Sequence, residues 1–285
     1  MPGVRDIKRR IRSVKNTQQI TKAMKMVSAA KLRRTQAATV ASRPYAHKLE
    51  EILERIVASA GETKHPLMLE RPVKSAAIIL VSADRGLAGG YNANVIRKGI
   101  LEAARLGDTE VSFFAVGRKG RDFLRRRKKK IDGELIGLKD VPSFIDAQNL
   151  AQQMVDSFLG GKYDAVYIVY QEFITTVQQR PAIKQLLPIP YEKEEEDEVS
   201  EYLYEPGPQE VLGILLPKYI NNTVYHIFME AKTSEHGARM AAMGAATDNA
   251  SEMIDKLTLS YNRSRQAAIT REISEIVGGA NALQG

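Results

Sequence analysis

Neither cysteine nor tryptophan occurs among the 285 residues of this sequence. Without cysteine there are no disulfides, no thiolate catalysis and no cysteine metal sites, and the chain fits a reducing compartment. Without tryptophan, the 6% aromatic content is phenylalanine and tyrosine alone. Long apolar runs are also missing: none approaches the roughly 20 residues a membrane-spanning helix needs. The opening "MPGVRDIKRRIRSVKNTQQ" lacks the apolar core of a secretory signal. A soluble chain is expected, one that can still sit on a membrane assembly.

Catalytic patterns are scarce as well. The four histidines, His47, His65, His226 and His236, are scattered, with no H-E-x-x-H and no metal-ligand spacing. No serine sits in a G-x-S-x-G elbow. No active site is legible, so a non-enzyme without cofactor or metal is expected.

What is present is charge, unevenly spread. The net charge is +8. Between Arg5 and Arg34 stand eleven Lys or Arg against one acid, Asp6. A second basic run, "RKGRDFLRRRKKK", covers residues 118–130, and an acidic one, "EKEEEDE", covers 192–198. The acidic run reads as an exposed loop. Basic surface calls for an acidic partner such as protein, anionic lipid or nucleic acid.

Residues 3 to about 58 hold no glycine after Gly3 and one proline, Pro44, which is expected to kink or interrupt a helix. Ile7, Ile11 and Val14 mark an apolar stripe at helical spacing, and so do Ile20, Met24 and Val27. The middle alternates strand-like and helix-like segments, beginning "VKSAAIILVSA", "NANVIRKGILEAARLG", "EVSFFAVG", which predicts an α/β layer with a largely parallel sheet. Pro181 assigns "TVQQRPAIKQLLPI" to a sheet edge. Near the end, Met240, Met243, Thr247, Ala250, Ile254, Leu257 and Tyr261 alternate three- and four-residue steps. After a four-residue stutter through Arg265, the series resumes at Ile269, Ile273, Ile276, Ala280 and Leu283.

The fold expected is therefore α/β, with a long antiparallel coiled coil of the N- and C-terminal helices and a central Rossmann-like α/β domain. The boundaries expected are 1–60, 72–206 and 207–285. The coiled-coil seam is poor in leucine and rich in Ala, Thr, Ser and Met, which suits a smooth rod better than a permanent zipper.

The stretch "SADRGLAGGYN" after the first strand resembles a phosphate loop. It lacks the Lys and Ser/Thr of G-x-x-x-x-G-K-[ST], and Gly86, Gly89 and Gly90 do not fit G-x-G-x-x-G. Its glycines read as turn-formers that allow close packing.

Four segments in order resemble the gamma subunit of the F-type ATP synthase in its bacterial form: "NTQQITKAMKMVSAAKLRR", "SADRGLAGGYN", "ARMAAMGAATDNA" and "ITREISEIVGGANA". The resemblance implies a non-catalytic rotor shaft that turns inside the ring of alpha and beta subunits. Its foot meets the epsilon subunit and the membrane c-ring, which places it peripherally on the cytoplasmic side of the cell membrane, with no direct insertion. It couples proton flow to ATP synthesis or hydrolysis at the beta sites. The resemblance carries Met24 and Lys25 to the coupling region of the N-terminal helix. It carries Arg239, Arg265, Gln266, Thr270, Glu272 and Glu275 to the opposing helix, and Arg85 to a loop near the collar of the hexamer. Met24 also reads as plain seam packing, and Glu272 and Glu275 as solvated charges. Chloroplast members carry a cysteine-bearing insert, so the absence of cysteine here rules out dithiol switching. The basic run 118–130 reads either as a solvated helix face or as a seat for epsilon or an acidic subunit surface. Two rival readings are a nucleotide-dependent α/β enzyme, against which "GLAGGYN" argues, and a basic coiled-coil protein that binds nucleic acid. The second is weakened by the scarcity of aromatic residues in the basic stretches and by the lack of any known reading module.

Overall fold

The computed structural model describes residues 3–59, 65–176, 178–190, 205 and 207–284. The acidic run 192–198 lies outside them. Two compact units result: Met1–Val27 with Met240–Gly285, and Ser28–Arg239.

The long helices are α1 (Val4–Ser59) and α5 (Pro208–Gln284). Ala, Lys, Arg, Gln and Met fill α1, and these residues lose little side-chain freedom in a helix. Pro44 removes one backbone donor, yet the helix assignment runs through it unbroken, as α5 does through Pro217.

The Ser28–Arg239 unit contains a five-stranded sheet. Its strands are β1 (Ser75–Val81), β2 (Glu110–Val116), β3 (Ile131–Leu135), β4 (Ala165–Phe173) and β5 (Gln179–Leu187). The strand order is β3-β2-β1-β4-β5. The first four are parallel and β5 pairs antiparallel with β4. Pro181 stands opposite Gln171 on the edge strand, where its missing N–H costs no inner ladder bond.

Alternation along β1 divides the core. Ala77, Ile79 and Val81 pack with α4 (Phe144–Leu159), with Leu53 and Ile56 of α1 and with the Leu212–Ala231 part of α5. Ile78 and Leu80 pack with α2 (Tyr91–Arg105) and α3 (Arg118–Arg126). Helices thus cover both faces, and the strands read as continuous apolar runs. Full burial of side chains such as Phe158 and Phe228 stabilises by roughly 1.5–3 kcal/mol each. Ser143 caps α4 by accepting from the Ile145 N–H at 3.3 Å.

In the other unit α1 and α5 run antiparallel. Thr21 meets Thr247 at 2.8 Å between hydroxyls, and the Lys25 stem lies against Gly244. The predicted positions Met240, Met243, Thr247, Ala250, Ile254, Leu257 and Tyr261 are all covered, as is Ser264, and up to Thr247 the cover is broader, taking in Ala241, Ala242, Gly244 and Ala246 as well. On α1 the expected triplet Ile20, Met24, Val27 is corrected at its two ends, while Met24 is half-buried as expected. Ile20 and Val27 are 60% and 54% exposed, whereas Thr21 and Ser28 are buried. Hydroxyl side chains take the seam because they can bond their own helix: Thr21 donates to the Gln18 carbonyl at 3.0 Å. The Thr21 hydroxyl is thereby satisfied within its own helix.

Candidate functional site

In doubly wound sheets, ligands bind beyond the carboxyl ends of the strands where the strand order reverses. Here the reversal lies between β1 and β4. The connections through α2 and α3 cover one face, and α4, which leads into β4, covers the other. The glycine loop, residues 82–90, follows β1 at this crevice. Its backbone is bent by Leu87 and Gly89, at φ 60° and 54°. The Asp84 carboxylate accepts from the Arg118 N–H at 3.1 Å and from the Gly137 N–H at 3.0 Å. Asn92 accepts from the Ala83 N–H at 2.9 Å.

The crevice is filled by the chain's own α5. Ala238 packs with Ala83, Ala88 and Tyr91. The Tyr91 hydroxyl donates to the Ala231 carbonyl at 3.0 Å, and Gln171 donates to the Tyr91 carbonyl at 3.2 Å. Arg239 donates to the Gly86 carbonyl at 3.3 and 3.4 Å. The loop therefore holds a helix where a nucleotide-binding fold would hold phosphate.

Beneath it lies a buried charge cluster. Glu235 accepts from Lys232 at 3.0 Å and from Arg239 at 2.7 Å. Burial pushes the Glu235 carboxyl up, but the neighbouring Lys232 and Arg239 outweigh it and hold the group below its ordinary range. His236, at 2% exposure, has Nε2 3.3 Å from Asp140 Oδ1, without the alignment of a hydrogen bond. Asp140 pairs with Lys31 of α1 at 3.0 Å. Burial lowers the His236 pKa to about 4, against the opposing pull of Glu235 and Asp140. This cluster was not anticipated from the sequence. The only signal was the Lys232, Glu235, Arg239 spacing of three and four, which puts these side chains on one helix face.

The expected site residues fall into separate places. Arg239 is buried against Glu235 and Gly86, while Arg85 is exposed on the loop beside Leu87, itself 62% exposed. In the helix pair, Met24 is half-buried and Lys25 exposed. Arg265, Gln266, Thr270, Glu272 and Glu275 are all exposed on α5. The register set by Thr21–Thr247 carries Val4 to the neighbourhood of Ser264, the last α5 residue with any cover. Lys25 lies at Gly244, so it does not meet those five residues. Beyond Ser264 the described positions of α5 are bare, with Ile269, Ile273, Ile276 and Val277 at 48–65% exposure. Among the described residues no group of three or more His, Asp or Glu could hold a metal ion, and no helix is long and apolar enough to cross a membrane.

The profile of the ATP synthase family matches residues 3–283. The ATP synthase gamma chain of Heliobacterium modesticaldum is 51% identical over 291 residues, covering 99% of this chain and all of that one. That of Moorella thermoacetica is 52% identical over 284 residues, covering both chains fully. The chain belongs to the ATP synthase gamma family. Among solved structures, a rotational state of the Euglena gracilis mitochondrial ATP synthase, containing OSCP, F1 and c-ring, holds a similar chain. It is 21% identical, with a TM-score of 0.74, over 98% of this chain and 94% of that one. A chain from the central stalk and c-ring of the Tetrahymena thermophila mitochondrial enzyme is 23% identical, with a TM-score of 0.63, over 80% and 99%. At these identities the likeness is one of fold.

Proposed function

We propose that this chain is the central-stalk rotor subunit of an F-type ATP synthase and that it is itself non-catalytic. It turns inside the alpha/beta hexamer and couples proton flow through the membrane c-ring to ATP synthesis, or runs in reverse with hydrolysis. Its partners are the alpha, beta and epsilon subunits and the c-ring, and it sits peripherally on the cytoplasmic face of the cell membrane.

The observation that carries this reading is the bare end of α5. A single helix with isoleucines at 269, 273 and 276 facing solvent has no tertiary contact to hold it, and helical stability in proteins comes mostly from such contacts. An exposed apolar stripe of this kind marks an interaction surface. The filled crevice supports the absence of chemistry on this chain. Rotation then works by differential contact: each orientation of the shaft stabilises a different conformation of each beta site. On this reading Arg265, Gln266, Thr270, Glu272 and Glu275 face the hexamer near the tip, and Met24 and Lys25 lie farther along the shaft. Arg85 and Leu87 offer a charged and an apolar contact from the loop, and Arg239 braces that loop.

The test is co-expression with alpha and beta subunits from the same source, followed by sizing and an ATPase assay. The expected result is one large particle with a single copy of this chain per three alpha and three beta, hydrolysing ATP. Elution of the chain alone, with ATPase unchanged by its presence, would overturn the reading.

A further inference from the structure

Two charged runs take no part in the rotor reading: the basic run 118–130 and the acidic run 192–198. The basic run forms α3 and the turn into the edge strand β3, within the Ser28–Arg239 unit. A groove of about 540 Å³ lies at the start of β3, lined by Arg125, Lys128, Lys129 and residues 131–134. Its acids are already engaged. Glu134 takes Arg125 at 2.9 Å and Arg121 at 3.6 Å, and Asp132 takes Lys162 at 2.9 Å and the Tyr163 hydroxyl. Arg126, Arg127, Lys128 and Lys129 are all exposed, and none has a carboxylate partner among the described residues. The helix dipole of α3 accounts for Arg125 and Arg126 in its last turn, but not for the cations beyond it.

The turn keeps its charge against a backbone preference. The Lys128 N–H donates to the Arg125 carbonyl and the Lys129 N–H to the Leu124 carbonyl, both at 3.0 Å, the paired bonds of a Schellman turn. Lys128 therefore stands at φ 52°, in the left-handed region where glycine is the usual residue. A lysine there strains the turn and sets one more cation beside Arg126, Arg127 and Lys129.

The acidic run is the complement of this surface and lies within reach of it. Six of its seven residues are Asp or Glu. Across the sheet Leu187 pairs with Val166, Val166 with Ala77 and Ala77 with Ser112, while Ile131 pairs with the next residue, Phe113. The end of β5 and the start of β3 thus share one end of the sheet, roughly 19 Å apart at about 4.8 Å per strand. From Pro190, an extended chain covers at most about 28 Å by Glu198. A segment tethered so closely meets the groove at an effective concentration of about millimolar, before any partner is present.

We propose that the groove at the start of β3, with Arg126, Arg127, Lys128 and Lys129 around it, is a docking surface for the chain's own acidic run 192–198. This charge contact within the chain occupies the basic run ahead of other polyanions. The proposal does not depend on the rotor reading.

Because the chain has no cysteine, a Lys129→Cys, Glu195→Cys variant carries one thiol on each side of the contact. The reference is Arg97→Cys, Glu195→Cys, with Arg97 exposed on α2. Both full-length variants are oxidised with glutathione, and the disulfide within one chain is followed by gel mobility. The expected rate is at least about tenfold that of the reference at about 20 mM salt, and severalfold slower at about 0.5 M. Reversing Arg126, Arg127 and Lys128 to Glu should bring the rate down to the reference. Reversing Glu192, Glu194 and Glu196 to Lys in the same chain should restore it. Lys128→Gly serves if the reversed chains do not fold: it relieves the left-handed residue, and it should still slow the linkage about twofold or more. A rate equal to the reference, no dependence on salt, or no rescue by the second reversal overturns the proposal. Assembly with alpha, beta, epsilon and c subunits should leave the linkage intact. Its loss there would assign the groove to an acidic surface of a partner and overturn the proposal.

Discussion

His236 sits at 2% exposure among charges of both signs: Glu235 and Asp140 on one side, Lys232 and Arg239 on the other. Desolvation dominates, so the imidazole is neutral in the folded chain, and its pKa falls from 6.5 to about 4. Between those values the unfolded chain binds the proton and the folded chain does not, so stability rises with pH across the window and is lost as pH falls through it. For one such group the loss from pH 7 to pH 5 is about 2 kcal/mol. Urea unfolding at the two pH values should show that difference in the native chain and a clearly smaller one in His236→Gln. Equal slopes would mean that His236 does not stay neutral in the fold. Nothing in the sequence singled this residue out, because its neighbours at 140 and 31 are distant along the chain.

At the scale of elements, the helix pair is held by small and hydroxyl side chains. Thr247 donates to the Met243 carbonyl at 2.7 Å as well as meeting Thr21, and Thr21 keeps its bond to Gln18. Each hydroxyl is satisfied within its own helix, so the contact across the pair adds little. Thr247→Val should therefore cost less than about 1 kcal/mol in a thermal melt of the full chain. A cost of several kcal/mol would make that contact a clasp and weaken the picture of a low-grip seam. The spacing of the C-terminal stripe was legible in the sequence, because a helix with one covered face must repeat its small and apolar residues every three or four positions. The phase of the N-terminal stripe was not. Ile20 and Val27 outrank Thr21 and Ser28 in hydrophobicity, and only close approach of a second backbone makes the smaller residues the better choice.

For the whole molecule, the two units differ in how much apolar surface they bury. Among the described residues, the buried apolar side chains of the helix-pair unit are Ile7, Met243 and Ala250, whereas the Ser28–Arg239 unit encloses two extended clusters around its sheet. Local opening follows that density. In hydrogen exchange of the isolated chain, amides of β1 and β4 should exchange only with global unfolding, while those beyond Ser264 exchange within minutes. Assembly with alpha and beta subunits should then protect the α5 end. Protection of that end in the isolated chain, equal to that of β1, would show that it needs no partner.

The sequence by itself determined the elements. Apolar runs of strand length, helical spacing at both ends, Pro181 at an edge and the absence of cysteine are local chemistry, and local chemistry survives without coordinates. The motifs that carry the gamma resemblance are likewise strings. Only the tertiary structure decided what fills the crevice beyond β1, since Tyr91 and Ala231 are joined across 140 positions by a single hydrogen bond. Only it decided that Arg239 faces Gly86 and that α5 outruns its partner after Ser264. Each of these depends on which distant side chains displace water from one another, and that is settled by packing rather than by order along the chain.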